Sequence, residues 1–387
     1  MSKAEYKRLG DYIRPIDVRN RDLKINLSQG ICNAKYFQNP KQVADNPQTH
    51  KVVRTGQFAY NRATTRNGEK ISIALREGPD CTVSSAYQVF EVIDENLLNP
   101  KYLMMWFKRP EFDRLAIYYS HGSAHEFFEW DAMCDVMLPI PSITRQREIV
   151  SEYETLTNRI RLNNQMIQHL EATAQALYRK TFVENIDKEN LPEGWRMGTL
   201  GEVCDIKGGK RLPKGEELQL TKNSHPYIRV ADMCHTKHII LNSAFQYVGD
   251  DIQRLIKQYI VNTDDIILSI VGTIGNVNVI DDTLNMANLT ENCVKLVNLH
   301  SVSHNYLYSF LISEEGQSLI EQSIVGGVQG KLPIYNIEKL ELLIPNQEAI
   351  REFDNMICII DKSTKLRQLE NDKLTELQSL LLAKMGQ

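Results

Sequence analysis

Two stretches of this 387-residue chain gather side chains suited to gripping a polyanion. The first is the polar, basic run Tyr60-Asn61-Arg62-Ala63-Thr64-Thr65-Arg66-Asn67-Gly68, directly after a strand-like segment. Arg62 and Arg66 can pair with phosphates or hold a guanine at two points, and Asn61 and Asn67 can do the same for adenine. Thr64 and Thr65 are counted with them. The second is Ile206-Lys207-Gly208-Gly209-Lys210-Arg211-Leu212-Pro213-Lys214-Gly215, which offers Lys207, Lys210, Arg211 and Lys214. It is not a P-loop, because Arg211 stands where a Ser or Thr should follow Lys210 and the upstream glycine spacing is absent. Arg229 ends a later strand-like run. Beyond it, Gly272-Thr273-Ile274-Gly275-Asn276 makes a tight turn whose backbone amides can approach phosphate, with Thr273 and Asn276 beside them. The loop over residues 61–67 also has a plain reading, as a solvated hairpin tip, and the turn over residues 272–275 has one as a simple hairpin.

Chemistry of other kinds is missing. A methyltransferase needs a glycine-rich cofactor turn and an Asn/Asp-Pro-Pro-aromatic motif, and the chain has no Pro-Pro pair. A nuclease of the Asp…Glu-x-Lys type needs acids upstream, and the one Glu-x-Lys, Glu5-Tyr6-Lys7, has none. No Walker lysine is present, so no ATP-driven motor is expected. Cys234, His235 and His238, with His225 nearby, fit no common zinc spacing. Seven cysteines without a Cys-x-x-Cys pair read as reduced thiols of a cytoplasmic protein. No apolar run approaches a membrane span, and the first residues lack the apolar core of a signal peptide.

The formal net charge of −4 argues against a nucleic-acid binder, but its distribution does not. Residues 1–75 carry 14 Lys and Arg against 6 Asp and Glu, while residues 76–140 carry 5 against 11. Such segregation suits one face meeting a polyanion and another avoiding it, though a solvated surface can segregate by chance.

The elements that must position these loops are written twice. Pro141-Ser142-Ile143-Thr144-Arg145-Gln146-Arg147-Glu148-Ile149 answers Pro345-Asn346-Gln347-Glu348-Ala349-Ile350-Arg351-Glu352-Phe353, an offset of 204 that holds to Lys180 and Lys384. Each copy opens a long helix. In the first, Ile149, Tyr153, Leu156, Ile160, Asn163, Ile167, Leu170, Ala174 and Leu177 step by four and three, a heptad seam. In the second, Phe353, Ile357, Ile360, Leu366, Leu369, Leu374, Leu377 and Leu381 give a noisier stripe. A helix of some 35 residues is on the order of 50 Å long and needs a partner for its stripe. A coiled-coil dimer would supply one, but with two matched helices in one chain each has its cheapest partner in the other. A polar residue on each seam, Asn163 and Asn371, would fix register at some cost in stability.

Ahead of each helix lies a domain. Leu9-Gly10-Asp11 restarts as Leu200-Gly201-Glu202, and Lys101-Tyr102-Leu103 returns as Asn305-Tyr306-Leu307. Strands are expected over Leu27 to Phe37, Lys51 to Tyr60 and Ile71 to Leu75, and helices over Tyr102 to Phe107 and Phe112 to Tyr119. The aromatics Tyr118 and Tyr119 are expected in the core. The back halves repeat closely and the front halves diverge, as one scaffold with two reading heads would.

Taken in order, these features resemble the specificity subunit of Type I restriction-modification systems, over the whole chain. The motifs are Leu138-Pro139-Ile140-Pro141 with Gln146-Arg147-Glu148-Ile149, and Leu343-Ile344-Pro345 with Arg351-Glu352-Phe353. To these are added Leu191-Pro192-Glu193-Gly194-Trp195, Leu268-Ser269-Ile270-Val271-Gly272-Thr273-Ile274-Gly275 and Gly326-Gly327-Val328-Gln329. The first domain departs, with Tyr60-Asn61-Arg62 where a Ser-x-x-Gly-Thr loop would lie. The resemblance implies an α+β chain: two α/β target-recognition domains in pseudo-symmetric tandem, each followed by a long helix, the helices packing as an antiparallel coiled coil. The boundaries are 1–140 and 195–344 for the recognition domains, 141–183 and 345–387 for the helices, and 184–194 for a linker. Interhelix packing falls to Ile149, Leu156, Ile160, Ile167, Leu170, Leu177, Phe353, Ile360, Leu374 and Leu381. It further implies a non-catalytic subunit that binds double-stranded DNA, each domain reading half of a split target in the major groove, with the helices as a ruler. Two methyltransferase subunits, which carry S-adenosylmethionine, dock on it, and restriction or motor subunits can join. No cofactor or metal is expected on this chain, and no membrane. The competing reading is a coiled-coil scaffold without sequence-specific DNA binding.

Overall fold

The structure is a computed structural model that describes residues 5–40, 46–64, 70–120, 126–184, 186–234, 236–327 and 330–386. The chain divides into two units: Met1–Ile160 with Lys373–Gln387, and Arg161–Asp372.

In the first unit a four-stranded antiparallel sheet runs in the order Ile13–Ile16, Tyr87–Val92, Phe58–Asn61, Ile73–Leu75. Its core is aromatic. Phe58 stacks on Phe90 at 4.9 Å, and Phe107 meets Phe58 edge-on at 5.8 Å. Burying each such ring contributes about 1.5–3 kcal/mol. Phe107 comes from the helix Pro100–Phe107, which starts on Asn99. The Asn99 side chain accepts from the backbone N–H of Lys101 and Tyr102, and Pro100 gives up no needed donor at the first helical position. The helix Pro110–Tyr118 follows.

The second unit repeats this scaffold. Asp205–Gly208, Cys293–Val297, Ile266–Ser269 and Val277–Ile280 stand in the same order, and His238–Ile239 adds a parallel edge strand. The helices His304–Ile312 and Glu314–Gln322 answer the pair in the first unit. Tyr102 Oη donates to the Pro139 carbonyl, and Tyr306 Oη to the Leu343 carbonyl, 204 residues on. The shared strand order carries the duplication into the front half, where the sequence repeats only Leu9-Gly10-Asp11 as Leu200-Gly201-Glu202 and otherwise diverges. What differs there is a three-stranded sheet, Gln246–Tyr247, Pro226–Ile228 and Asn288–Leu289, present in the second unit.

The long helices are Ile143–Phe182 and Gln347–Lys384. In the first unit Val150 and Met385 enter one core, and Gln378 Nε2 donates to Thr157 Oγ1 at 2.7 Å. In the second, Tyr178 and Phe182 pack on Phe353, and Asn163 Nδ2 donates to Glu370 Oε2 at 2.9 Å and Asn371 Oδ1 at 3.0 Å. Within each unit the two helix segments thus run antiparallel. Of the residues expected to pack between the helices, Ile167 and Phe353 are buried, and Ile149, Leu156, Ile160, Leu170, Leu177, Ile360, Leu374 and Leu381 are half-buried. Leu366 and Leu377 do not belong to it: both face solvent. Heptads counted from Ile357 run through Thr364, Asn371, Gln378 and Met385, so three polar residues hold seam positions that a search for leucines passes over.

Candidate nucleic-acid interface

The strand Phe58–Asn61 pairs with Ile73–Leu75, so residues 62–72 join neighbouring strands. Thr65, Arg66 and Asn67 lie outside the described residues. The root of the loop is built from side chains. Asn61 Oδ1 accepts the Ala63 N–H at 3.1 Å. Thr64 is buried, and its amide and hydroxyl both donate to the Glu126 carbonyl, at 3.0 and 3.2 Å. Thr64 fastens the loop from inside. Arg62 is partly exposed: Nη1 lies 3.3 Å from Glu129 Oε2, and the guanidinium rides 5.9 Å above the Phe127 ring.

On the far side of the loop, Ile71 N–H donates to Asp113 Oδ1 at 3.1 Å. The same oxygen holds Lys35 Nζ at 2.7 Å. Lys35 is buried and left-handed, at φ 66°, an uncommon conformation for a residue with a side chain. Burial pulls its pKa down, against the bond and charge of Asp113. Neither residue stood out in the sequence, because 78 positions separate them.

In the second unit the turn between Ile266–Ser269 and Val277–Ile280 occupies the same topological place. The equivalence extends to isolated bridges, Ala63 with Phe127 and Val271 with Lys331. Gly272 and Gly275 adopt φ of 82° and 94°. The Gly275 and Asn276 amides, read from the sequence as available to phosphate, are spent inside the turn, on the Ser269 carbonyl and Oγ. Ser269 Oγ in turn donates to the Thr273 carbonyl at 2.6 Å. Thr273 is exposed and Asn276 half-buried.

The glycine-rich basic loop leaves its strand at a tight passage. A Cβ on Gly209 would lie 2.0 Å from the Thr290 carbonyl oxygen, so no other residue fits there. Gly209 N–H donates to the Cys293 carbonyl at 3.0 Å, Lys210 N–H to that of Leu289 at 2.8 Å, and Tyr227 Oη to that of Lys210 at 2.8 Å. Beyond this seat the side chains are free to face solvent. Lys207 pairs with Asp205 at 3.2 Å, Lys210 Nζ lies 5.6 Å over Tyr259, and Lys214 is exposed. Arg211 Nε donates to Glu291 Oε1 at 2.6 Å while the side chain stays 78 % exposed. Arg229 is different. Asp232 takes its Nε and Nη2 at 2.9 and 2.7 Å, and Gln246 takes Nη1. Hydrogen bonding to Asp232 raises its pKa, and its role is to tie the end of the strand Pro226–Ile228.

One expectation changes here. Tyr118 and Tyr119 are not core residues: they are 78 % and 46 % exposed and pack edge-on against each other. The seven cysteines are free thiols, and burial pushes Cys81 up to about 11 and Cys204 and Cys293 up to about 12. These are inert packing groups. Among the described residues no group of three His, Cys, Asp or Glu side chains could hold a metal. His235 lies outside them; His225 pairs with Asp250, and His238 faces Asp361. No described helix is long and apolar enough to cross a membrane.

Residues 192–379 match the family described as the Type I restriction modification DNA specificity domain. The Type I restriction enzyme HindI specificity subunit of Haemophilus influenzae is 22 % identical, covering 93 % of this chain and 92 % of its own. The MjaVIII specificity subunit of Methanocaldococcus jannaschii is 20 % identical over 65 % of this chain and 62 % of its own. The crystal structure of a Type I S subunit from M. genitalium shares the fold, with a TM-score of 0.55 at 12 % identity over 100 % of this chain and 97 % of that one. With its sheet-and-helix fold present twice, each copy running into a long helix, this chain is similar over most of its length to specificity subunits of Type I restriction-modification systems, and residues 192–379 match their DNA specificity domain.

Proposed function

We propose that this chain is the DNA-reading subunit of a Type I restriction-modification complex, and that each unit recognises one segment of a two-part target. The chain supplies recognition. Methyl transfer belongs to docked methyltransferase subunits, which carry S-adenosylmethionine, and restriction subunits can join the same assembly in the cytoplasm. The observation that carries this reading is the duplication: one strand order and one helix pair occur twice, while the loops between equivalent strands differ in length and charge. A duplicated scaffold with unlike loops suits two unlike DNA segments, with phosphate contacts giving affinity and base-edge contacts giving sequence.

The test is selection from a random duplex library by the full chain with its methyltransferase partner. The expected outcome is two short conserved segments separated by unselected positions. A single segment, or binding without any sequence preference, would overturn the proposal.

A further inference from the structure

One arginine in the second unit is held in a way that selects its ligand. The Arg211 guanidinium is fixed through Nε, which donates to Glu291 Oε1 at 2.6 Å. Its two terminal amino groups make no hydrogen bond among the described residues, and the side chain is 78 % exposed. Glu291 is itself anchored: Thr290 Oγ1 donates to its second oxygen at 3.1 Å, and Thr290 N–H donates to the Ile228 carbonyl at 3.0 Å. On the other side, the Gly209 seat fixes the backbone just before Arg211. The result is a planar fork of donors with its base clamped and its prongs turned outward. Arg229 has no such fork, since Asp232 and Gln246 occupy its three nitrogens.

We infer that Arg211, held from behind by Glu291, reads a guanine in the DNA segment recognised by the second unit. Guanine offers two acceptors side by side in the major groove, O6 and N7, which match the fork. Adenine sets an amino donor beside its N7, against one prong. A phosphate also accepts two bonds, but it would bring its charge up against the Glu291 carboxylate, and like charges disfavour that site. Arg211 is thus a specificity-determining residue and Glu291 the residue that positions it. This inference rests on the DNA-reading function proposed above.

The experiment is duplex selection and methylome mapping with the full chain and its methyltransferase partner, comparing wild type with Arg211→Ala, Arg211→Lys, Glu291→Ala and Glu291→Gln. Wild type is expected to select at least one guanine in one segment. Arg211→Ala and Arg211→Lys should lower the preference for that guanine by roughly ten- to a hundredfold, leaving the other segment unchanged. The unchanged segment reports that the variant is folded and bound. Glu291→Ala should relax the same position, and Glu291→Gln, which keeps an acceptor for Nε, should restore it. An unaltered sequence preference in Arg211→Ala would overturn the inference. So would a uniform loss of affinity with a shallower salt dependence, the mark of a phosphate contact. Wild type that selects two segments without guanine would sink the guanine assignment alone; wild type that selects no sequence would sink the function with it.

Discussion

The side chains that hold the candidate loop of the first unit in place do so from buried positions. Asp113 gathers Lys35 Nζ and the Ile71 N–H on one oxygen, inside the first unit. Asp113→Ala strands a buried ammonium and a buried amide, and should cost that unit about 3–5 kcal/mol in urea unfolding. The double variant Lys35→Met with Asp113→Leu should recover most of the loss, because no lone charge is left behind. In the second unit, Glu171 Oε1 accepts the Lys237 N–H at 3.0 Å. Burial raises its carboxyl above the usual 4.5, outweighing that bond and the nearby Lys237 and His238. A carboxyl raised on folding favours the fold at low pH and loses that contribution as pH rises through its folded value. Glu171→Gln keeps the acceptor and removes the charge. It should therefore unfold later than wild type at pH 7, the difference shrinking as pH falls through the raised folded value and vanishing below about 4.5, in thermal melts across that range.

At the scale of the element, the long helices carry a polar stitch. Asn163 is 4 % exposed and donates to Glu370 and Asn371, while Asn371 donates to Asn164 Oδ1 at 2.8 Å. Asn163→Ala should lower the melting of the second unit by about 1–3 kcal/mol of stability, since two acceptors lose their donor. Replacing Asn163 and Asn371 together by Leu should leave thermal stability nearly unchanged or raised, while allowing other helix pairings, measurable as oligomers in light scattering. Phe182 makes a stronger joint. It meets Tyr306 at 4.9 Å, Phe353 at 5.1 Å and Trp195 at 5.8 Å, and Phe182→Ala should cost about 3–5 kcal/mol. The helices and their seam were legible in the sequence because heptad spacing is a local signal. Asn163 and Asn371 stood out as polar interruptions of it, but Thr364 and Gln378 did not, because hydrophobicity alone marks a seam and these positions are polar. The strand order was hidden for another reason. Ile13–Ile16 pairs with Tyr87–Val92 across some seventy residues, and no local pattern announces such a partner. The basic loops could be found from composition, but not the carboxylates that aim or occupy their arginines. Glu291 lies 80 positions from Arg211, and only folding brings them together.

For the molecule as a whole, the two units should act as separate readers. Arg62→Ala with Arg66→Ala should alter one segment of the methylated target, and Lys210→Ala with Arg211→Ala the other, as mapped by methylome sequencing. Equal loss at both segments would mean that the loops do not read independently. Binding should weaken steeply with added salt despite the net charge of −4, because phosphate contacts depend on the local basic loops and not on the sum over the chain. The close passage at Gly209 has a practical corollary for altering what the protein recognises. A transplanted loop cannot begin upstream of that glycine without driving a side chain into the Thr290 carbonyl. Arg211 and Lys214, just beyond it, are exposed, and that is where a graft of foreign specificity should be spliced.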